Sequence, residues 1–378
     1  MHKRSLFLAV GLLALTSVVA RAQVLGQHSN TAYGTTSAEF LLMAPTARGV
    51  ALGEAFSALT TDASALYYNP AGVSQLARPE LQVSTTSYLA STRYSWLGMA
   101  LPFGGGARAV GFSFGSFGFS DQPVYTVDDP TGSSGNVYSV SESYVGLTYS
   151  QQFSDRFAAG FTAKYINDAL GDVSGTAFAI DFGTSFHATV GGKPIRAAFT
   201  VQNLGTTLRH NGHVLDVTVD RPPPQGQQDQ PQEPASAALK SKDWPLPVQF
   251  RVALAYDVFS TAMSRFSLMG EFAQPNNNDP NFSFAGEYNV NLGSSGFQIA
   301  PRVSYTYQPA NSFSAPANGT ANYAGFDTGL SNGSYGLGVG GGIKYRKNPR
   351  GVGFGVDYGY RSFGLLGGTN TVSFSLGW

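Results

Sequence analysis

The chain ends on TVSFSLGW, residues 371–378, in which Val372, Phe374, Leu376 and Trp378 share one face of an extended strand. Successive side chains of a strand point to opposite faces. A terminal aromatic on the apolar face suits the lipid–water boundary, where transmembrane barrels seat their ring girdles. The other end carries a complementary signal. His2, Lys3 and Arg4 form a positive n-region, Leu6 to Val19 an apolar run, and Ala20-Arg21-Ala22 a small-residue cleavage site. Residues 1–22 therefore read as a secretory signal peptide, and the sequence predicts export to the bacterial outer membrane.

Composition fits that compartment. Cleavage after Ala22 removes Lys3, Arg4 and Arg21, leaving 20 of the 23 basic residues against 23 acidic ones, a formal charge of −3. That balance gives no general attraction for nucleic acid. The absence of Cys excludes a disulfide framework, thiol chemistry and an acylated N-terminal Cys. After the signal, no apolar run approaches the roughly 18 residues of a membrane helix. A barrel averages a lipid face against a wet lumen, which accounts for the near-neutral mean hydropathy of −0.07. The 46 Gly lack a three-residue period and so exclude collagen.

Alternation recurs along the mature chain after about residue 79. The clearest segment is PVQFRVALAYDV (247–258), where Val248, Phe250, Val252, Leu254, Tyr256 and Val258 share a face. Residues 176–186 place Phe178, Ile180, Phe182 and Phe186 together, and residues 157–165 place Phe157, Ala159, Phe161 and Tyr165 together. These faces are expected toward lipid. Arg156, Lys164, Asp181, Gln249 and Arg251 are expected toward the lumen. The segments number 14: about 79–90, 93–103, 107–119, 137–150, 155–165, 175–187, 194–204, 247–258, 265–274, 281–291, 296–308, 335–346, 352–362 and 371–378. The expected fold is all-β, a 14-stranded antiparallel transmembrane β-barrel with a short N-terminal helical plug.

Connection lengths sort with direction. If both ends lie in the periplasm, the inward connections are the short ones: 104–106, 151–154, 188–193, 260–264, 291–295 and 347–351. Every long connection, 120–136, 205–245 and 308–334, points outward, which is the pattern of bacterial barrels. The outer loop at about 206–245 contains RPPPQGQQDQPQEP (221–234), too polar and Pro-rich to build a core and read as a mobile tip.

The domains then read as signal peptide 1–22, N-terminal periplasmic or plug segment 23–78, and barrel 79–378. Residues 37–76 do not alternate. Phe40, Leu41, Ala44 and Ala47 have helical spacing, and 51–59 reads as a small-residue helix interrupted by Gly53. Thr61-Asp62-Ala63 reads as an N-cap before a turn ending at Tyr68, and Asn69-Pro70 as a turn feeding strand one. Its place directly before that strand favours a plug in the lumen over a free periplasmic cap.

The run RGVALGEAFSALTTDASALYYNPAGVSQL (48–76) resembles the N-terminal signature of PorV/PorQ-type outer-membrane proteins, and its NPAG turn is similar to that of FadL-type channels. FTVQNLG (199–205), WPLPVQFRVALAY (244–256), EFAQPNNNDPNFSFAGEY (271–288) and VDYGY (356–360) resemble PorV/PorQ segments in the same order. The resemblance implies a FadL-like barrel with an N-terminal segment in its lumen. Arg48, Gly49, Gly53, Asn69, Pro70 and Gly72 carry its plug and turn. PorV-type members receive proteins exported by type IX secretion; FadL-type relatives carry hydrophobic small molecules. The long Pro/Gln-rich connection departs from both.

Two functions follow as expectations. For a shuttling barrel, secreted cargo proteins or other secretion components would meet the outer loops at Tyr125, Val127, Tyr138, Phe313, Tyr323 and Phe326, which also read as girdle residues. For passive uptake of hydrophobic small molecules, such as long-chain fatty acids, Phe40, Leu41, Leu42, Met43, Phe56 and Leu59 would line a pocket. They read equally as plug packing. Outer-membrane lipid is a partner in both cases.

No enzyme, cofactor or metal is expected. The mature chain has His28, His187, His210 and His213 alone, and the i, i+3 pair His210/His213 in a loopy insertion reads as a poor metal site. Gly111, Gly115, Gly118, Gly338, Gly340, Gly341 and Gly342 lack the GK[ST] or strand–GxGxxG–helix setting of a nucleotide loop and mark close strand packing.

Overall fold

Outward-facing and lumen-facing residues alternate along a single closed sheet. A computed structural model describes residues 34–220, 233–308, 336–348 and 351–378; residues 1–22, expected to be a signal peptide, and His28 lie outside them. The first half of the wall is β1 (Glu80–Ser87), β2 (Arg93–Phe103), β3 (Arg108–Pro123), β4 (Val137–Ser154), β5 (Phe157–Leu170), β6 (Val173–Val190) and β7 (Lys193–Gly205). The second half is β10 (Gln249–Ser260), β11 (Ser264–Pro275), β12 (Asn281–Asn291), β13 (Phe297–Tyr307), β14 (Leu337–Tyr345), β15 (Gly353–Ser362) and β16 (Gly368–Gly377). These 14 form a closed antiparallel barrel, while β8 (Asp216–Val219) and β9 (Ala235–Ala238) make a separate two-stranded sheet in the long connection. Closure is between β1 and β16, from Glu80 opposite Gly377 to Ser87 opposite Asn370. Trp378 lies one residue past β16 and donates its N–H to the Pro79 carbonyl at 3.2 Å.

The two faces separate by chemistry. Phe178, Ile180, Phe182, Val252 and Leu254 are exposed on the outside, while Lys164, Asp181, Gln249 and Arg251 are buried toward the lumen. Phe250 also points outward but is half-buried, its ring 5.0 Å from Phe199 and 6.3 Å from Phe272. Val248, just before β10, is half-buried like Phe250, and its carbonyl accepts the Asn276 N–H at 2.9 Å. One assignment changes. Arg156 is exposed in the two-residue turn between β4 and β5, because pairing across that turn starts at Ser154 and Phe157, leaving it no lumenal position.

Strands β3 to β6 run beyond the alternating segments, since backbone pairing continues at the outer rim through polar residues such as Asn167 opposite Thr176. The short connections, such as 155–156 and 191–192, share one end; 124–136, 206–248 and 308–336 share the other. The base of the 206–248 connection is packed. Leu208 and Leu246 are buried, Leu208 bridges to Trp244, and Asn211 bridges to Ser174. Residues 221–232, most of the Pro/Gln-rich tip, lie outside the described residues.

Residues 35–78 lie against the lumenal wall. They form a 3-10 turn at Glu39–Leu42, helix α1 (Ala47–Ala51), helix α2 (Ala65–Tyr68) and a 3-10 stretch at Pro70–Gln75. The Thr46 hydroxyl accepts the Gly49 N–H at 3.3 Å, and Asn69 Oδ1 accepts the Ala71 N–H at 3.1 Å, as helix caps. The helix expected over 51–59 is not formed: α1 stops at Ala51 and turns follow. Gly53 (φ +57°) and Glu54 (φ +67°) are consecutive left-handed residues, a conformation a helix cannot pass through. The Glu54 carboxylate meets Arg251 and Arg361 of the wall, each at 2.8 Å, which offsets the unfavourable backbone at a non-glycine residue. The N-cap of α2 is Ser64, not the Thr61–Ala63 stretch, and it makes no side-chain cap bond; Asp62 Oδ1 accepts the Ser64 N–H at 3.1 Å in the turn before it.

Candidate functional site in the barrel lumen

The lumen divides into an ionic side and an aromatic side. On the ionic side, Arg48 of α1 binds Glu287 of β12 through Nε to Oε2 and Nη2 to Oε1, both 2.9 Å, and donates from Nη1 to Asp62 at 2.7 Å. Arg302 bridges Glu287 at 2.7 Å and Asp357 at 2.5 Å. Higher in the barrel, Arg251 contacts Glu54 at 2.8 Å and Glu271 at 3.1 Å, and Glu271 also accepts the Ser57 N–H and hydroxyl. These fork-shaped charge-assisted pairs satisfy buried groups that would otherwise be strongly disfavoured. Two polar cavities of about 150 Å³ each remain, one beside Glu54, Arg251 and Glu271, the other beside Arg48, Glu287 and Arg302.

The aromatic side is built on β2 to β6. Tyr94 and Trp96 of β2 and Tyr144 of β4 point inward, and Trp96 Nε1 donates to the Tyr144 hydroxyl at 2.8 Å. Phe40 enters this cluster, 6.4 Å from Tyr94 and 6.2 Å from Tyr144 between ring centres. Tyr67 donates its hydroxyl to the Leu41 carbonyl at 3.0 Å. The Lys164 ammonium lies 5.4 Å from the Tyr144 ring centre and is neutralised by Asp181 at 2.6 Å. Residues 37–42 are clamped from above. The Ser37 N–H donates to the Pro245 carbonyl at 3.1 Å, its hydroxyl donates to Asp168 at 2.8 Å, and His210 meets the same Asp168 at 3.3 Å.

The residues singled out in the sequence fall into distinct places. Gly49 lies under the Tyr68 hydroxyl, which a Cβ would approach to 1.9 Å, and Gly72 lies against Thr60. Asn69 donates Nδ2 to the carbonyls of Ser57 at 3.0 Å and Thr184 at 3.1 Å, fixing the turn to β6. Pro70 then rests on Gly160 and Gly183, directly opposed residues of β5 and β6. Phe40, Leu41, Phe56 and Leu59 are buried in the segment's packing, Phe56 stacked 4.5 Å from Tyr68. Met43 packs against the same core, and Leu42 borders the cavity beside Glu54. The structure does not bring these six around one open pocket.

On the outer surface, Tyr125 and Tyr138 are exposed and Val127 is 99 % exposed. Their loop is pinned by Asp129, which accepts the N–H groups of Ser134 at 2.7 Å and Ser133 at 3.0 Å; these hold its carboxyl well below the usual range. Phe313, Tyr323 and Phe326 lie outside the described residues. His210 and His213 do have acids beside them: Asp168, which only the fold brings near His210, and Asp216, three residues after His213 and overlooked in reading the sequence. Among the described residues no group of three or more metal-ligating side chains assembles. The Ser185 hydroxyl meets His187 Nε2 at 3.2 Å, but among the described residues no carboxylate is bonded to that ring to orient it.

Sequence reasoning missed Tyr94, Trp96 and Tyr144. In RYSWLGMALPF (93–103) both faces carry apolar groups, so period alone could not choose the inward one. The usable signal is Gly98, two residues beyond Trp96, where a Cβ would strike the indole at 2.2 Å.

Neither a family model nor a curated protein matches the chain. Among solved structures, the CymD monoaromatic hydrocarbon channel is 12 % identical with a TM-score of 0.50, over 88 % of this chain and 96 % of that one. The TodX deltaS2S3 mutant monoaromatic hydrocarbon channel is 10 % identical with a TM-score of 0.51, over 88 % and 97 %. A Pseudomonas aeruginosa FadL homologue is 11 % identical with a TM-score of 0.46, over 88 % and 97 %. At these identities the likeness to the first two is one of fold.

Proposed function

We propose that the protein is a non-enzymatic outer-membrane barrel that passes hydrophobic small molecules, with residues 35–78 as its lumenal plug. The observation that carries the reading is the aromatic cluster inside the barrel. Barrel lumens are ordinarily polar, yet Tyr94, Trp96 and Tyr144 form a buried wall here that Phe40 covers. Moving the 37–42 turn aside would exchange Phe40 for an apolar guest against the same rings. The ionic side would meanwhile hold the rest of the plug in place. The hydrocarbon channels of similar fold support this reading. In the native host, loss of the gene should slow uptake of toluene or a long-chain fatty acid, and a plasmid copy should restore it. Unchanged uptake of both in the deletion strain would contradict the proposal.

A second reading, reception and shuttling of type IX secretion cargo, rests on the PorV/PorQ-like motifs and on the exposed Tyr125, Val127 and Tyr138. Its mark would be retention of exported proteins inside the deletion strain with uptake intact.

A further inference from the structure

At the end of the barrel with the short connections, a cleft of about 400 Å³ opens between the N-terminal segment and strands β13 to β16. Arg78, Lys344 and Arg346 line it, with Glu80 as the acid among them. Glu80 faces Lys344 and Arg346 but forms no close pair with either. Its Oε1 accepts the Ala63 N–H at 3.2 Å, and it makes no ion pair within 4.0 Å among the described residues. Lys344, which has Asp62 and Glu80 as its charged neighbours, makes no ion pair within 4.0 Å among the described residues, and Arg346 Nε is buried without a hydrogen-bond acceptor among them. Arg78 donates Nη1 to the Gly351 carbonyl at 3.4 Å.

The guanidinium of Arg346 lies against two opposed glycines, Gly353 and Gly377. A Cβ on Gly353 would come within 2.6 Å of its Nε, and one on Gly377 within 2.8 Å of its Nη2. Side chains at either position would push the group off the rim, so the wall itself shapes this seat. The cleft then continues outward to Phe297 and Phe354, both exposed on the lipid face. Lys344 and Arg346, both half-buried, therefore outnumber the single acid of the cleft, Glu80, next to an apolar edge on the barrel's outer face. Guanidinium and ammonium groups placed so are matched by a phosphate oxyanion.

We propose that this rim cleft binds the phosphate of a phospholipid of the periplasmic leaflet, with the first part of an acyl chain along Phe297 and Phe354. The site is independent of what passes the lumen.

Native mass spectrometry of the delipidated full-length protein in detergent tests it, with dioleoylphosphatidylglycerol, the diacylglycerol bearing the same chains, and inorganic phosphate as separate probes. One phosphatidylglycerol should bind per barrel in preference to the diacylglycerol. The K344Q/R346Q protein should bind it about tenfold more weakly, as loss of a charge-assisted contact implies. R156Q, altered in an exposed turn at the same end, should leave binding unchanged. K344R/R346K keeps both charges and should retain binding, which separates charge from any folding defect; heat-modifiable migration reports folding in each case. Equal binding of the diacylglycerol, or unchanged affinity in folded K344Q/R346Q, would overturn the site. Saturation by inorganic phosphate with no bound phospholipid would overturn the lipid as occupant.

Discussion

Arg48 and Glu287, 239 residues apart in sequence, meet through two parallel 2.9 Å hydrogen bonds with side chains 6 % and 1 % exposed. One belongs to the N-terminal segment and the other to the barrel wall, so the pair fastens the contents of the lumen to its container. Glu287 is held from its other side by Arg302.

Replacing Arg48 by Met leaves Asp62 without its arginine and Glu287 with one cation fewer. Removal of one partner from a buried pair costs about 3–5 kcal/mol. R48M is therefore expected to lower the temperature at which the folded gel band converts to the unfolded one, and to expose residues 48–72 to added protease. Unchanged protease resistance would show that the pair does not hold the segment.

Gly160 and Gly183 form a flat patch for the Asn69-Pro70 turn. A Cβ on Gly160 would lie 2.6 Å from the Pro70 carbonyl carbon and oxygen, and one on Gly183 would lie 2.3 Å from Asn69 Oδ1. Backbone at that distance cannot give way, and overpacking of this kind costs about 1–3 kcal/mol. G160V should free the turn while the barrel still assembles, measured as protease cleavage near Pro70 in protein that keeps its heat-modifiable band.

Leu254 stands midway along β10 and is exposed on the barrel's outer face, which the proposed membrane barrel turns to lipid. L254R should block assembly, since a cation at mid-depth costs about 2–4 kcal/mol, whereas L254F should assemble normally because lipid accommodates the larger side chain. Arg251, three residues earlier, is a different case. Its contacts with Glu54, Glu271 and Gln249 mean that R251Q should also destabilise the protein, although a wet lumenal position alone would tolerate it. Assembly of L254R to wild-type levels would show that this face is not toward lipid.

The wall was legible because lipid and lumen impose a period of two on every strand, and because outer and inner connections differ in length. The contents of the lumen were less so. Nothing local marks Glu54 as left-handed; its conformation depends on Arg251 and Arg361, which the chain brings close only when the barrel closes. The same holds for Arg48 with Glu287. Strands β3 to β6 outran their sequence segments because backbone pairing does not need an apolar face once the strand leaves the bilayer. The packed base of the 206–248 connection was hidden because Leu208 and Leu246 are single apolar residues in polar surroundings.

Deleting residues 218–240 should leave the barrel folded. Thr218, Val219 and 236–240 are exposed, and the removed hairpin contributes no residue to the wall. L208D, at the packed base, should by contrast loosen the 37–42 turn. Loss of heat-modifiable migration in the deletion protein would mean that the connection supports the barrel.

Ion conductance in planar bilayers tests the filled lumen most directly. With Arg48, Glu54 and Asn69 bonded to the wall, the intact protein should give no large steady current. Protein lacking residues 37–72 and retaining the folded band should conduct strongly. Large, steady, porin-like currents from the unmodified protein would contradict a barrel closed by its own N-terminal segment.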